Sequence, residues 1–291
     1  MPEVGTIAEN LGFTEGPLWT ADERLLVVSV SRGLVVEVDL HTGRTREVAE
    51  TGGGPNGLAE DGQGRVWVAQ NGGVVVPSRS ARRVTPGLQL LDHGAVRDVV
   101  TTGLRAPNDI VEGPDGRLWF TDPGPPGDTG HGRVCAFDPA TGAVSVLLDG
   151  IDFPNGLALG PGGDVLHVAE TETGRVVRYD WDGSGLHRSG VSAVLPQGGP
   201  DGLALDRDGR LYAAAPDADA VFVFEPDGRP LEPLRFGGRT FPTNLCFAGV
   251  DRDVLVITAG KGGRVLAVTG YARAPGLPVS PRRAGSAARG R

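Results

Sequence analysis

GGPDGLALDRDGRLYAAAP, residues 198–216, reads as a loop, a short apolar strand, a tight polar turn and a second apolar strand. Asp201 opens the first strand, Asp206 to Gly209 make the turn, and Leu211 to Ala215 are small and apolar throughout. The same phrase recurs as PNGLAEDGQGRVWVAQ from Pro55, PNDIVEGPDGRLWFTD from Pro107 and PNGLALGPGGDVLHVAE from Pro154. Looser copies are EGPLWTADERLLVVSV from Glu15 and PTNLCFAGVDRDVLVITA from Pro242. One residue holds the same place in each copy: Glu15, Asn56, Asn108, Asn155, Asp201 and Asn244, spaced 41, 52, 47, 46 and 43 apart. We call these six the anchors. A period of roughly 40–50 residues built from short strands predicts an all-β, six-bladed β-propeller, one four-stranded blade per repeat.

Within each repeat, Gly-rich or Asp-Gly turns separate the remaining strands, as hairpins require. HTG at 41–43 and PATG at 139–142 are two such turns. The sixth copy supplies DVLVITA and GRVLAVTG and lacks a fourth strand. EVGTIAENL, before Glu15, has no blade of its own. Pairing it with the last blade closes the ring and removes an open sheet edge. Residues 1–272 are therefore expected to form one propeller domain. The basic segment 273–291, which includes SPRRAGSAARGR and is poor in apolar residues, is expected to be a disordered tail. Blade two is irregular: VVVPSRSARRVTP, residues 74–86, has weak strand character and is either a lid over the ring or a solvated loop.

Composition narrows the function. Gly 47 and Pro 23 sit between apolar runs, where turns belong. Net charge is −8, Lys occurs only at Lys261, and no basic cluster lies in the repeats, which argues against a nucleic-acid partner. No apolar run approaches the ~20 residues of a membrane helix. MPEVGTIAEN has neither a positive start nor an apolar core, so a cytoplasmic location is expected. Cys135 and Cys246 lie in apolar strands and read as buried free thiols. There is no G-x-S-x-G and no H-E-x-x-H. GGGPNG at 52–57 leads into a strand, so it lacks the helix N-terminus that a nucleotide phosphate needs.

The innermost strand of a propeller blade lines the central channel. Anchors standing just before that strand all project toward one end of the axis. An Asn in such a loop is often structural, bonding its own backbone. Glu15 and Asp201 are different: two carboxylates at one level of a narrow channel repel, and one takes a proton unless a cation lies between them. With the Asn108 and Asn155 carbonyls beside them, they make a four-oxygen site. Oxygen ligands suit one divalent cation, Ca²⁺, Mg²⁺ or Mn²⁺, with Zn²⁺ less favoured where no His or Cys is present.

FTEGPLW at 13–19, APNDIVEGPDGRLWFTDP at 106–123, FPNGLALGPGGDVLHVAET at 153–171, GPDGLALDRDGRLYAA at 199–214 and TNLCFAG at 243–249, in this order, resemble the SMP-30/gluconolactonase, or regucalcin-like, family. The resemblance covers roughly residues 10–270 and implies a six-bladed propeller with a divalent cation at the top of its channel. It implies Glu15, Asn155 and Asp201 as metal ligands, Asn108 as a contact to metal or substrate, and Asp201 as the acid/base residue of a sugar lactonase. Asn56, Arg105 and His131 are candidate substrate contacts. Where mammalian-type members carry an Arg two residues before Asn108, this chain has Ala106, with Arg105 one step further away. GPPGDTGHG offers Asp128 and His131 where some members use an acidic residue to hold sugar hydroxyls.

The expected reaction is hydrolysis of a lactone, small in size, with the cation as Lewis acid and Asp201 as proton acceptor. Three alternatives stand beside it. The same site could hydrolyse a phosphotriester, or serve a cyclase or isomerase step in secondary metabolism. A binding propeller without catalysis is the third, and it gives no reason for two carboxylates at one ring level. Oligomeric state is left open.

Overall fold

The computed structural model describes residues 3–269, so the tail expected at 273–291 lies outside the described residues. Six four-stranded antiparallel sheets follow one another in chain order. Blade one is Thr14–Trp19, Leu25–Ser29, Leu34–Val38 and Thr45–Glu50. Blade two is Pro55–Glu60, Val66–Gln70, Gly87–Asp92 and Ala95–Val100. Blade three is Ile110–Glu112, Leu118–Asp122, Gly132–Phe137 and Val144–Ile151. Blade four is Pro154–Leu159, Val165–Glu170, Arg175–Trp181 and Leu186–Val194. Blade five is Leu203–Leu205, Leu211–Ala215, Ala220–Phe224 and Leu234–Arg235. Blade six takes Pro242–Ala248, Val254–Ala259 and Arg264–Thr269 from the end of the chain and Glu3–Ala8 from its start. Glu3 pairs with Thr269 and Ala8 with Val265, which closes the ring as the orphan N-terminal strand predicts.

Alternation along each strand turns one face of a blade toward each neighbour. The six apolar clusters accordingly sit between adjacent blades. Trp67 of blade two packs on Phe137 of blade three with ring centroids 5.3 Å apart, and Tyr212 of blade five meets Phe247 of blade six edge-on at 5.3 Å. Each such fully buried side chain is worth about 1.5–3 kcal/mol by area.

In blades five and two the polar turn between first and second strands is fastened by its leading aspartate. Asp206 Oδ1 accepts from the amides of Asp208 and Arg210, and the Tyr212 hydroxyl donates to Oδ2 at 3.2 Å. Asp61 does the same work in blade two, accepting from the Trp67 indole N–H at 2.8 Å. DRDG at 206–209 is thus a turn.

Three details differ from the sequence reading. The outer strand of blade five falls short of the full strand that a four-stranded blade implies, being only Leu234–Arg235, because Pro230 and Pro233 remove ladder donors. Cys135 is a buried free thiol, but Cys246 is only partly buried because it lines the central channel. Four of the anchors lie within the inner strand instead of before it, for the reason given next.

Candidate active site

Only Asn108 and Asp201 precede their strands, which start two residues later at Ile110 and Leu203. Glu15, Asn56, Asn155 and Asn244 sit inside theirs, at irregularities of register between Glu15 and Leu18, Pro55 and Leu58, Pro154 and Leu157, and Pro242 and Asn244. A bulge at a strand end re-aims the side chain it carries. The residue after the anchor explains how six backbones come close enough for their anchors to meet. It is Gly16, Gly57, Gly156 and Gly202 in four blades. A Cβ on Gly57 would lie 2.6 Å from the Asn108 carbonyl oxygen, and one on Gly156 would collide with that of Asp201. Gly156 N–H instead donates to the Asp201 carbonyl at 3.1 Å, tying blade four to blade five.

The anchors form a chain of contacts around the axis. Asn71 donates to Asn56 at 3.3 Å, Asn56 donates to Asn108, and Asn108 donates to Asn155 at 2.7 Å, while Asn155 lies close enough to the Asp201 carboxylate to favour its charged form. On the other side, Asn244 donates to both oxygens of Asp109 at 2.9 and 3.0 Å and lies close enough to Glu15 to favour its charged form. The Gly16 amide donates to Glu15 Oε2 at 3.0 Å. The structure thus joins Asn56, Asn108 and Asn155 by direct bonds and Asn244 to Asp109, while Glu15 and Asp201 feel each other's charge across the channel.

Asp109 is the residue that sequence reasoning missed. It takes the place that glycine holds in four other blades, and so sends a third carboxylate into the channel. Glu15 is 4% exposed and Asp109 7% exposed. Burial pushes the Glu15 carboxyl well above its ordinary range, and the charges of Asp201 and Asp109 push it further. Burial likewise raises Asp201 well above its usual value, with Asp109 adding to it, and raises Asp109 to about 7. Among the described residues, no Lys, Arg or His forms an ion pair with any of the three.

Nor do three His, Cys, Asp or Glu side chains converge as a metal cage among the described residues. The converging donor set is mixed, with carboxylates beside amides. Repelling carboxylates without a basic partner, next to amide oxygens, fit a hard cation: it would remove the repulsion and use oxygen donors only.

The other candidates are placed differently. Arg105 pairs with Asp128 and donates from Nη1 to the His131 carbonyl at 2.6 Å, while His131 Nδ1 contacts Asp128 Oδ1 at 2.6 Å. These three form one cluster on the 105–131 side of blade three, engaged with one another. Asp122, fully buried, accepts from the amides of Arg105 and Ala106 at 3.0 and 2.7 Å and pairs with Arg133. It thereby fixes the loop that leads into Asn108. Gln70 acts similarly in blade two, accepting from the Gly54 amide at 2.5 Å.

Residues 74–86 contain no strand, as expected, and are fastened to blades one and two. Arg79 N–H donates to the Ser31 carbonyl at 2.8 Å, Gly53 N–H to the Arg82 carbonyl at 3.0 Å, and Arg82 pairs with Asp98 at 3.1 Å. Together with Phe13, Ser31 and Gly260, Val76 to Arg79 border a cleft of about 630 Å³. The turns at Ser31 and Gly260 lie at the same end of the ring as the anchors, so the loop walls that end.

Comparison with known proteins agrees with this architecture. Residues 13–261 match the SMP-30/Gluconolactonase/LRE-like region, and the chain belongs to that family. It is 27% identical to a gluconolactonase of Zymomonas mobilis, over 88% of this chain and 78% of that protein. It is 29% identical to a pentonolactonase of Haloferax volcanii, over 85% of this chain and 81% of that one. The structure of a gluconolactonase from Xanthomonas campestris superposes with a TM-score of 0.78 at 25% identity, covering 92% of this chain and 89% of the other.

Proposed function

We propose that this member of the family is a divalent-cation-dependent lactonase opening an aldonolactone-like ring, with Glu15, Asn108, Asn155 and Asp201 holding the cation. Ca²⁺ suits the set best, ahead of Mg²⁺, Mn²⁺ and Zn²⁺. The observation that carries the reading is the mutual repulsion of Glu15 and Asp201 beside buried amides, with no basic partner for either among the described residues. The sugar-lactone activities of the Zymomonas and Haloferax relatives support the substrate class.

When bound, the cation would polarise the lactone carbonyl and offset the negative charge of the tetrahedral oxyanion. Water adds its hydroxyl to the carbonyl carbon, the acyl C–O bond breaks, and the ring oxygen leaves as the alcohol of a hydroxy acid. Asp201 would accept the proton of the attacking water and return it to the ring oxygen. A carboxylate engaged by a cation is a weaker base, so Asp201 would keep one oxygen for the proton. Asn155 holds the Asp201 carboxylate in orientation, and Asn108, fixed between Asn56 and Asn155, would orient the lactone. The Arg105, Asp128 and His131 cluster would meet substrate hydroxyls.

The test is turnover of a panel of aldonolactones, with an organophosphate beside them, by purified protein before and after chelation. Loss of lactone turnover on chelation and its return with Ca²⁺ are expected. An Asp201→Asn protein with the full rate would refute the proposal, and organophosphate turnover without lactone turnover would replace it with the phosphotriester reading.

A further inference from the structure

The central channel has a second end. Below the anchors the inner strands run through Leu18, Leu58, Ile110, Leu157, Leu203 and Leu245, which line a cavity of about 310 Å³ on the axis. Its inner end is closed by Gly16, Gly57, Asp109 and Asn244, all buried. Further along the strands its walls become partly exposed, at Trp19, Val111, Leu159 and Cys246. The cavity therefore opens on the face of the ring opposite the anchors.

Three features make this more than a gap between blades. Its size falls at the lower end of small-molecule sites, which are mostly apolar with a few placed polar groups. The inner polar group is already served by protein, since Asn244 donates to both Asp109 oxygens, so an apolar chain stopping short of it leaves no bond unmade there. The outer group is Arg252, which lines the cavity and forms no ion pair among the described residues, although Asp251 and Asp253 flank it in sequence. Burial pushes the Cys246 thiol on the cavity wall up to about 12, and the Arg252 charge partly opposes that rise. Trp19, with an apolar ring and a polar edge, stands at the same rim.

We propose that this axial cavity binds a medium-chain carboxylate, its hydrocarbon chain along the inner strands and its head group on Arg252. An anionic head on an unpaired guanidinium forms charge-assisted hydrogen bonds, and the chain replaces water along apolar walls. Because the mouth faces away from the anchors, binding does not compete with chemistry at the other end and stands independently of the lactonase reading.

The probe is decanoate, titrated by calorimetry and by tryptophan fluorescence, with decanol and decyltrimethylammonium as head-group controls. One saturable site is expected, with decanol weaker by about tenfold, the worth of one charged hydrogen bond, and the cation weaker still. Arg252→Gln, on an exposed turn, should weaken decanoate by about the same factor and leave decanol unchanged. Ala204→Trp, which fills the cavity from its wall, should abolish both. Decanoate should also slow alkylation of Cys246 by N-ethylmaleimide, read by peptide mass, while fully buried Cys135 stays unreactive with or without it. Equal affinity for decanoate and decanol, or decanoate binding indifferent to both Arg252→Gln and the Cys246 readout, would overturn the proposal.

Discussion

The two ends of the inner strands are built by opposite means. At or just before their first residues, Asn108 and Asn155, and Asn244 and Asp109, are joined by directional bonds beside Glu15 and Asp201, held by bulges and by glycines against neighbouring backbones. A few residues later the same strands present Leu18, Leu159, Leu205 and Phe247, held by burial without direction. The first end depends on where single atoms stand. The second depends only on volume and on how apolar it is. Sequence changes should therefore separate function from stability according to which end they touch.

The largest effect is expected at the polar end. Asp201→Asn and Glu15→Gln should each lower lactone turnover by about a thousandfold, the size of losing one preorganised charge-stabilising group. The same proteins in chelator should melt no lower than the parent, because each replaces a carboxyl whose ionisation is disfavoured there with a neutral amide. Steady-state rates beside thermal melts measure both.

Next come two changes that cost about 2–4 kcal/mol each by chemical denaturation. Gly156→Ala puts a Cβ against the Asp201 carbonyl and should lower Ca²⁺ affinity along with stability. Leu205→Ala leaves a cavity at the apolar end and should lower stability alone, with turnover unchanged. Equal effects on turnover would erase the distinction between the ends.

The pH dependence sharpens it further. Asp109 is raised in the folded protein to about 7, so the folded state holds its proton more tightly than the unfolded chain does. The stability this contributes is complete below the unfolded value near 4 and is lost as pH rises through about 7, roughly 4 kcal/mol for the group. Raised Glu15 and Asp201 act in the same direction. Metal-free protein should therefore lose stability between these values, and the rise in Tm on adding Ca²⁺ should be larger at pH 8 than at pH 5. Asp109→Asn should flatten the metal-free curve. The smallest effect is at the outer rim of the apolar end, where Arg252→Gln should change stability by no more than about 0.5 kcal/mol.

The ring itself was legible because its period survives in the turn chemistry of every repeat, and closure because Glu3–Ala8 had no other partner. The anchors were legible as a class because they share one position in the phrase. Their exact setting was not, since a bulge adds one residue without a side-chain signature, as between Pro154 and Leu157. Asp109 escaped because only the anchors were compared across copies. Aligning the next position as well, where PND replaces PNG, exposes it. Asn71 and Asp122 carried no periodic signal: each is a polar residue at the end of an apolar second strand, and only the folded ring brings it to a neighbour's amide.

The pairing of Glu3–Ala8 with Arg264–Thr269 has a consequence for synthesis on the ribosome. Glu3–Ala8 has no partner until Arg264–Thr269 has been translated. It waits through five completed hairpin sets, and its docking spans the greatest sequence separation among the described strand pairings. Long-range pairing of this kind is slow because chain entropy must be lost before any contact forms. Nascent chains are thus expected to gain protease resistance in two stages, blade by blade first and as a sealed whole only once Arg264–Thr269 can reach Glu3–Ala8.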